Sequence, residues 1–291
     1  MAIEDANELL AAWETSSQYW NKHRALIEKM FAPLTHALIE HAHVAAGQSV
    51  LDVGGGSGEP SLTIAAIVGS SGRVTYTDPA VGMVKAARDE AEARGLTNIR
   101  FHQCPAQQLP FSDNSFDVAL SRLSAMFFPD VPASAREILR VIRPGGYVSF
   151  VVWAAEEVNP FFRVITEILE RFLPSEPPDE DASTAFRFAR TGKLGKLLEE
   201  AGAVCVTERI LEFNIEAPMT VSRFRELRTE MSDTFRNKLK KLAPEQVGAV
   251  SEAVEKAAGR YFLNGQMNFP AQALIVVGRK PNSNVVNEPR A

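Results

Sequence analysis

Apolar residues recur at helical spacing from residue 4 to 46 and then, from Ser49 onward, gather into short runs separated by helical stretches. In the first part Leu9, Leu10 and Trp13 share one amphipathic face. Ser16 or Ser17 is expected to cap a second helix carrying Tyr19, Trp20, Leu26, Ile27 and Met30, and Pro33 suits the first turn of a third. Two roles fit this segment: helices packed on a sheet, or a lid over a ligand with Tyr19, Trp20 and His23 turned toward the pocket.

From Ser49 the pattern predicts strands at Ser49–Val53, Arg73–Thr77, Ile99–Gln103, Phe116–Ser121 and Tyr147–Trp153, with amphipathic helices over 60–68, 80–94 and 132–142 between them. This alternation predicts an α/β fold, a doubly wound and mostly parallel sheet with helices on both faces, whose ligands bind at the carboxyl ends of the strands. A helix over Pro160–Phe172 follows, then the stretch SEPPDEDAS, expected as a mobile loop because more sheet comes after it. Thr191–Ala201 reads as a helix, Val204–Ile215 as a strand, 218–262 as a helical insert and Gln272–Val277 as a last apolar strand. The chain thus divides into a helical lid (1–48), a cofactor-binding core (49–153), the rest of the sheet with a helical cap (154–280) and a tail expected to be disordered (281–291).

Composition narrows the function classes. The 291 residues are 45% hydrophobic and 23% charged, as in ordinary globular proteins, and the formal net charge of −5 argues against a general nucleic-acid binder. The basic cluster Arg236–Lys241 alternates with apolar residues and reads as a solvated helix face. No apolar run reaches the length of a membrane span, and the acidic N-terminus lacks a signal-peptide layout. With only Cys104 and Cys205 there is no disulfide framework and no four-cysteine zinc site, so a cytoplasmic protein without a metal is expected.

The candidate chemistry begins at Val50–Glu59, VLDVGGGSGE, where a strand ends in a glycine-rich loop that opens a helix. Such a loop lets backbone approach a ligand closely. Asp78, closing the second strand, can accept both hydrogen bonds of a ribose diol, which adenosine-bearing methyl donors and nicotinamide dinucleotides share. Asp52 separates them: a carboxylate there does little for a pyrophosphate at a helix N-terminus but suits a ligand carrying an ammonium or sulfonium. It could equally be a structural group tying down loop amides.

VLDVGGGSGEP, TDPAVGMVKAAR, LPFSDNSFDVALSR and EILRVIRPGGYVSF, in that order, resemble the class I S-adenosylmethionine-dependent methyltransferases, in particular the small-molecule group that includes the ubiquinone-biosynthesis type. The resemblance covers roughly 49–153. It implies a Rossmann-like, seven-stranded sheet with a reversed last strand and S-adenosylmethionine as cofactor. It also implies that Gly54, Gly55 and Gly56 lie against the methionine part, Asp78 on the ribose, and Pro79 and Met83 on the adenine side. Where the family commonly has an Asp for the adenine amino group this chain has Pro105, leaving the backbone of Ala106 or the amide of Gln107 as substitutes. Ser121 and Arg122 are implied to be near the methionine portion, although Arg122 could instead pair with an acid on a neighbouring helix.

Methyl transfer is an in-line displacement in which alignment and exclusion of water supply much of the acceleration, so no triad is required. For an acceptor that needs a base, His23 beside Tyr19 is the best of few candidates. His102 sits within a strand, and His41 and His43 point to different sides of a helix and form no metal clamp. Trp20, Met126, Phe127, Phe128, Trp153 and the 218–262 insert are expected to hold the acceptor, and their apolar character points to a flat or hydrophobic small molecule. A nicotinamide-dependent oxidoreductase and a non-catalytic S-adenosylmethionine-binding module are the alternatives.

Overall fold

A computed structural model describes residues 3–174 and 179–282. Residues 175–178 of the acid- and proline-rich loop and 283–291 of the tail lie outside the described residues, so the expectations for them do too. Three helices lead, α1 (Ile3–Lys22), α2 (Arg24–Met30) and α3 (Ala32–His41). The alternating part follows as β1 (Ser49–Val53), α4 (Ser61–Val68), β2 (Arg73–Asp78), α5 (Val81–Ala93), β3 (Ile99–Gln103), β4 (Phe116–Arg122), α6 (Val131–Val141) and β5 (Ile142–Trp153). Beyond it come α7 (Pro160–Phe172), α8 (Lys193–Glu200), β6 (Val204–Pro218), the helices α9 (Val221–Met231), α10 (Asp233–Leu239) and α11 (Pro244–Ala258), the two-residue β7 (Phe262–Leu263) and β8 (Gln266–Arg279).

The strands pair in the order β3-β2-β1-β4-β5-β8-β6, with β7 on β8. The first five are parallel, while β8 runs antiparallel to both β5 and β6. The expected seven-stranded sheet with a reversed last strand is therefore present, with β7 as a short addition. Strand order reverses at β1, whose neighbours are β2 and β4, and in an open α/β sheet a ligand crevice forms beyond the strand ends at such a point.

Local chemistry explains most boundaries. The side chain of Asp130 accepts from the Ala133 amide at 2.8 Å and Pro132 stands in the first turn, so α6 starts there. The sequence starts β5 at Tyr147 because RPGG reads as a turn, but the strand begins at Ile142 and absorbs those residues as an irregularity between Phe116 and Val118 of β4, with Gly145 at φ +76°. β8 is longer than its apolar run because β6 pairs along its whole length. Pro270 falls between the part of β8 that meets β7 and the part that meets β5, where a residue without an N–H is tolerated.

The N-terminal helices differ from expectation in one respect. Ser16 and Ser17 do not cap a helix; they lie inside α1, which continues to Lys22 and breaks at His23. Ser17 donates to the Glu14 carbonyl and Ser16 accepts from Arg236, so each hydroxyl is satisfied without ending the helix. α3 packs against β4, β5 and β8 through the buried Leu34 and Leu38, whereas α1 packs on α5 and on α9 of the cap.

Asn159, fully buried, joins α7 to the sheet. Its amide donates to the carbonyls of Ala154, Ala155 and Gln272, and its oxygen accepts from the Gln272 amide at 3.0 Å. Asn159→Ala strands these backbone groups away from water. It is expected to lower unfolding free energy by about 2–3 kcal/mol, measured as a shift in the urea midpoint with unchanged slope.

Candidate functional site

A cavity of about 410 Å³ opens at the carboxyl ends of the parallel strands, beside the strand-order reversal. Its floor is the glycine loop, Gly54–Ser57 with Glu59. One side is Asp78, Pro79 and Met83 after β2, with Gln103–Gln107 after β3. The other is Arg122–Ser124 and Phe127–Pro129 after β4, together with Phe31. The roof is α1, through Ala6, Asn7, Leu9, Leu10, Trp13 and Trp20.

The three loop glycines have different reasons to be glycine. A Cβ on Gly54 would lie 1.9 Å from Ser124 Oγ, and one on Gly55 would lie 2.4 Å from the Tyr76 ring. Gly56, at φ +55°, has no atom within 4 Å of such a Cβ, so it is the position where the left-handed backbone alone asks for glycine. The Tyr76 hydroxyl donates to the Gly56 carbonyl at 2.6 Å and fixes the loop from below.

Asp78 ties this loop to the next. Its Oδ2 accepts from the Gly56 amide at 3.0 Å and its Oδ1 from the Ala80 amide at 2.9 Å, leaving each oxygen a further lone pair beside the cavity. Burial pushes its pKa up to about 6 against these two hydrogen bonds. Asp52 lies beneath the loop, fully buried and outside the lining. It accepts from the Ser61 hydroxyl at 2.6 Å rather than from loop amides, and burial raises it to about 7.

Several expectations are corrected by position. His23 does not face the cavity: it is buried and its Nε2 is bonded to Glu230 of α9, which also receives Lys22 at 2.7 Å. Tyr19 lies under the Arg236 guanidinium, 4.7 Å from the ring centroid, also away from the lining. Arg236 is not part of a plain solvated face, since it also reaches Ser16, Asp233 and the Glu230 carbonyl. Met126 and Ser121 are fully buried in the core, and Trp153 stands behind the wall, edge-on to the lining residue Phe31 with ring centroids 5.6 Å apart.

Among the expected contacts, the structure brings Gly54, Gly55, Gly56, Asp78, Pro79, Met83, Pro105, Ala106, Gln107, Trp20, Phe127 and Phe128 to one cavity. No described residue of the 218–262 insert lines it; α9 of the insert packs against α1, which does. Sequence reasoning missed Trp13 and Phe31 as lining groups. Leu9, Leu10, Trp13 and Trp20 fall on one face of an unbroken helix, a signal hidden by placing a helix boundary at Ser16.

Several polar atoms of the lining residues have no hydrogen-bond partner within the protein. Trp20 Nε1, Gln107 Oε1 and both carboxylate oxygens of Glu59 are buried and lack hydrogen-bond partners. No imidazole lines the cavity among the described residues, and the Cys104 thiol is pushed up to about 11 by burial, far from a reactive thiolate. The aromatic wall is preorganised: Trp13 stands edge-on to Phe127 with centroids 5.0 Å apart and to Trp20 at 6.0 Å.

With this geometry in place, comparison with known proteins gives the lineage. Residues 51–150 match the family model described as a methyltransferase domain. This stretch is a class I S-adenosylmethionine-dependent methyltransferase domain. An uncharacterized protein of Mycobacterium tuberculosis is 34% identical over 173 residues, covering 60% of the chain and 61% of that relative. The ubiquinone/menaquinone biosynthesis C-methyltransferase UbiE of Cellvibrio japonicus is 41% identical over 109 residues, 37% of the chain and 44% of UbiE. The chain thus spans 61% of the length of the first curated relatives it matches. The crystal structure of YcgJ from Bacillus subtilis shares the fold with a TM-score of 0.55 at 21% identity, covering 85% of the chain and 98% of YcgJ. No helix among the described residues is long and apolar enough to cross a membrane, and no cluster of three metal-ligating side chains occurs among them.

The two aspartates of the methyltransferase domain make its stability pH-dependent. Their folded pKa values of about 7 and about 6 lie above the ordinary 3.8, so the native state holds more protons than the unfolded state between those limits. Their contribution is full below about pH 4 and declines as pH rises through 6 and 7, by up to ~1.4 kcal/mol per pH unit for each group. Asp52→Asn is expected to flatten the decline between pH 5 and 8 in urea unfolding.

Proposed function

We propose that the chain transfers a methyl group from S-adenosylmethionine to a small apolar or aromatic acceptor by in-line displacement. The observation that carries this reading is one continuous cavity. Asp78 and the loop of the methyltransferase domain stand at one side, and the aromatic wall of Trp13, Trp20, Phe31, Phe127 and Phe128 at the other. The cofactor, when bound, supplies an electrophilic methyl on a sulfonium.

The protein's own residues hold and align. Asp78 has one lone pair free on each oxygen for a ribose diol, and the Gly56 and Ala80 amides keep that carboxylate in place. Gln107 Oε1, buried without a partner beside Pro105 and Ala106, is the acceptor available for an adenine amino group where the family's Asp is missing. The roof and the aromatic wall exclude water, which strengthens alignment and protects the sulfonium from hydrolysis. With no imidazole at the cavity, the reading favours an acceptor atom that already presents its electron pair, such as an amine, a thiolate or a stabilised carbanion.

Calorimetry with S-adenosylhomocysteine is expected to show saturable binding and NAD none; the opposite pattern removes the methyltransferase reading in favour of an oxidoreductase. A mass-spectrometric screen of aromatic and apolar acceptors is expected to yield a product heavier by one methylene. Binding of S-adenosylhomocysteine with no product across a broad panel would favour a non-catalytic module. Asp78→Ala is expected to weaken S-adenosylhomocysteine by about 1–3 kcal/mol. Gln107→Leu is expected to cost about 1 kcal/mol and to abolish the preference for the adenosine ligand over its 6-deamino analogue. Unchanged affinity in either variant takes that residue out of the site.

A further inference from the structure

Two carboxylates from different elements share consecutive amides at the start of α5. Asp78, closing β2, accepts from the Ala80 amide at 2.9 Å, and Glu14, on the roof helix α1, accepts from the next two, Val81 and Gly82, the latter at 3.0 Å. Ala80 stands at the cap position and has no side-chain acceptor, so these amides depend on acceptors from outside the helix. The approach is close. A Cβ on Gly82 would lie 2.2 Å from Ser17 Oγ and 3.2 Å from Glu14 Oε2, so a glycine is what lets α1 come down far enough for Glu14 to reach its seat.

Neighbouring carboxylates repel, and each favours the neutral form of the other. Among the described residues three titratable groups face Asp78: Glu14 from α1, Tyr76 from β2 itself and the Cys104 thiol after β3. Burial holds the Tyr76 hydroxyl well above its usual range and pushes the Cys104 thiol up to about 11, so near neutral pH Glu14 alone of the three brings a charge. Burial is the larger cause of the raised Asp78 pKa of about 6; the Ala80 and Gly56 amides oppose it, and the Glu14 charge adds to it. A ribose diol donates its strongest hydrogen bonds to an ionised carboxylate, so whatever favours the neutral form weakens that hold.

Resting on the methyltransferase reading, we propose that Glu14 is a positioning residue of the cofactor site: seated on the amides next to the one Asp78 holds, it sets how firmly Asp78 grips the ribose. Glu14 is not part of the cavity lining, so it acts through Asp78 and α5 and not by touching the ligand. Bringing the roof down places a second negative charge beside the carboxylate that holds the diol, and the helix that encloses the ligand thereby slackens one of its anchors. By linkage, a ligand that favours the ionised Asp78 works against the seat of Glu14. Roof and grip are opposed, which favours release of the spent cofactor from an enclosed cavity.

The test is calorimetry of S-adenosylhomocysteine on the full chain between pH 5 and 8, for the wild type, Glu14→Gln, Glu14→Ala and Lys22→Met. Wild-type affinity is expected to fall as pH drops through about 6, where Asp78 takes up a proton. Glu14→Gln is expected to lower the midpoint of that fall by about half a pH unit, so that at pH 5 it retains about two- to threefold more of its pH 8 affinity than the wild type does. Glu14→Ala is expected to show the same midpoint with a further loss equal at every pH, from the loosened roof. Lys22→Met frees α1 from Glu230 at its other end and is expected to leave the midpoint in place. Asp52 and Glu59 also have raised pKa values, but Glu14 is not among the charges that shift them, so they shape all four profiles alike. A loss uniform with pH in both Glu14 variants would make Glu14 a fastener only and overturn the proposal, as would a midpoint shift of equal size in Lys22→Met. If Glu14→Gln does not fold, as judged by circular dichroism, the midpoint of Glu14→Ala decides. A wild-type chain that binds at no pH removes the cofactor reading itself, whereas binding with an unshifted midpoint in the variants removes only the role of Glu14.

Discussion

Asp78 is the constraint on which the site depends. Its two oxygens reach the Gly56 amide in the loop after β1 and the Ala80 amide at the start of α5, so one buried carboxylate fixes two loops from different strands against each other. Burial works against the charge and the two backbone donors work for it, which places the group near neutrality's edge rather than deep in the carboxylate range. A ligand hydroxyl arriving at its remaining lone pairs shifts that balance toward the charged form. The same amides that build the loop therefore also set how readily this carboxylate holds its charge.

The core of the fold was readable because its signals are local. Five short apolar runs, all but the third followed by a helical period, leave little choice but a parallel sheet, and β1 and β3 and the helix α7 start and stop where the pattern places them. What was unreadable depends on partners distant in sequence. β8 is a long strand only because β6 pairs along it, and the RPGG segment belongs to β5 only because β4 accommodates an irregularity there.

The site followed the same division. Residues on the glycine loop and after β2 and β3 could be assigned by position along the chain, since strand ends in such a sheet converge. Trp13 could not, because its place in the lining depends on α1 running unbroken over α5, where Ser16 and Ser17 gave a false stop, and Phe31 could not, because it enters the lining from the junction of α2 and α3. Their hydroxyls are answered by Glu14 and by Arg236, a cap residue far along the chain that no local rule would link to them. His23 was misplaced for the same reason: what holds it is Glu230, a partner supplied by α9.

That arrangement gives the cap a role although none of its described residues touches the cavity. α1 is fastened at three points along its length. Glu14 accepts from the amides of Val81 and Gly82, supplying the acceptor that α5 lacks at its own N-terminus, where Ala80 has no side-chain oxygen. Arg236 of α10 holds Ser16 and covers Tyr19, and Glu230 of α9 holds Lys22 and His23. The helix therefore cannot lift from the cavity without releasing either the first amides of α5, which adjoin Pro79 and Met83, or the cap. Close packing enforces the first latch, since a Cβ on Gly82 would sit 2.2 Å from Ser17 Oγ. The cavity is roofed by Leu9, Leu10, Trp13 and Trp20, while the polar contacts that fasten the same helix are made by Glu14, Ser16 and Lys22, so the residues that hold the roof in place are not those that form it.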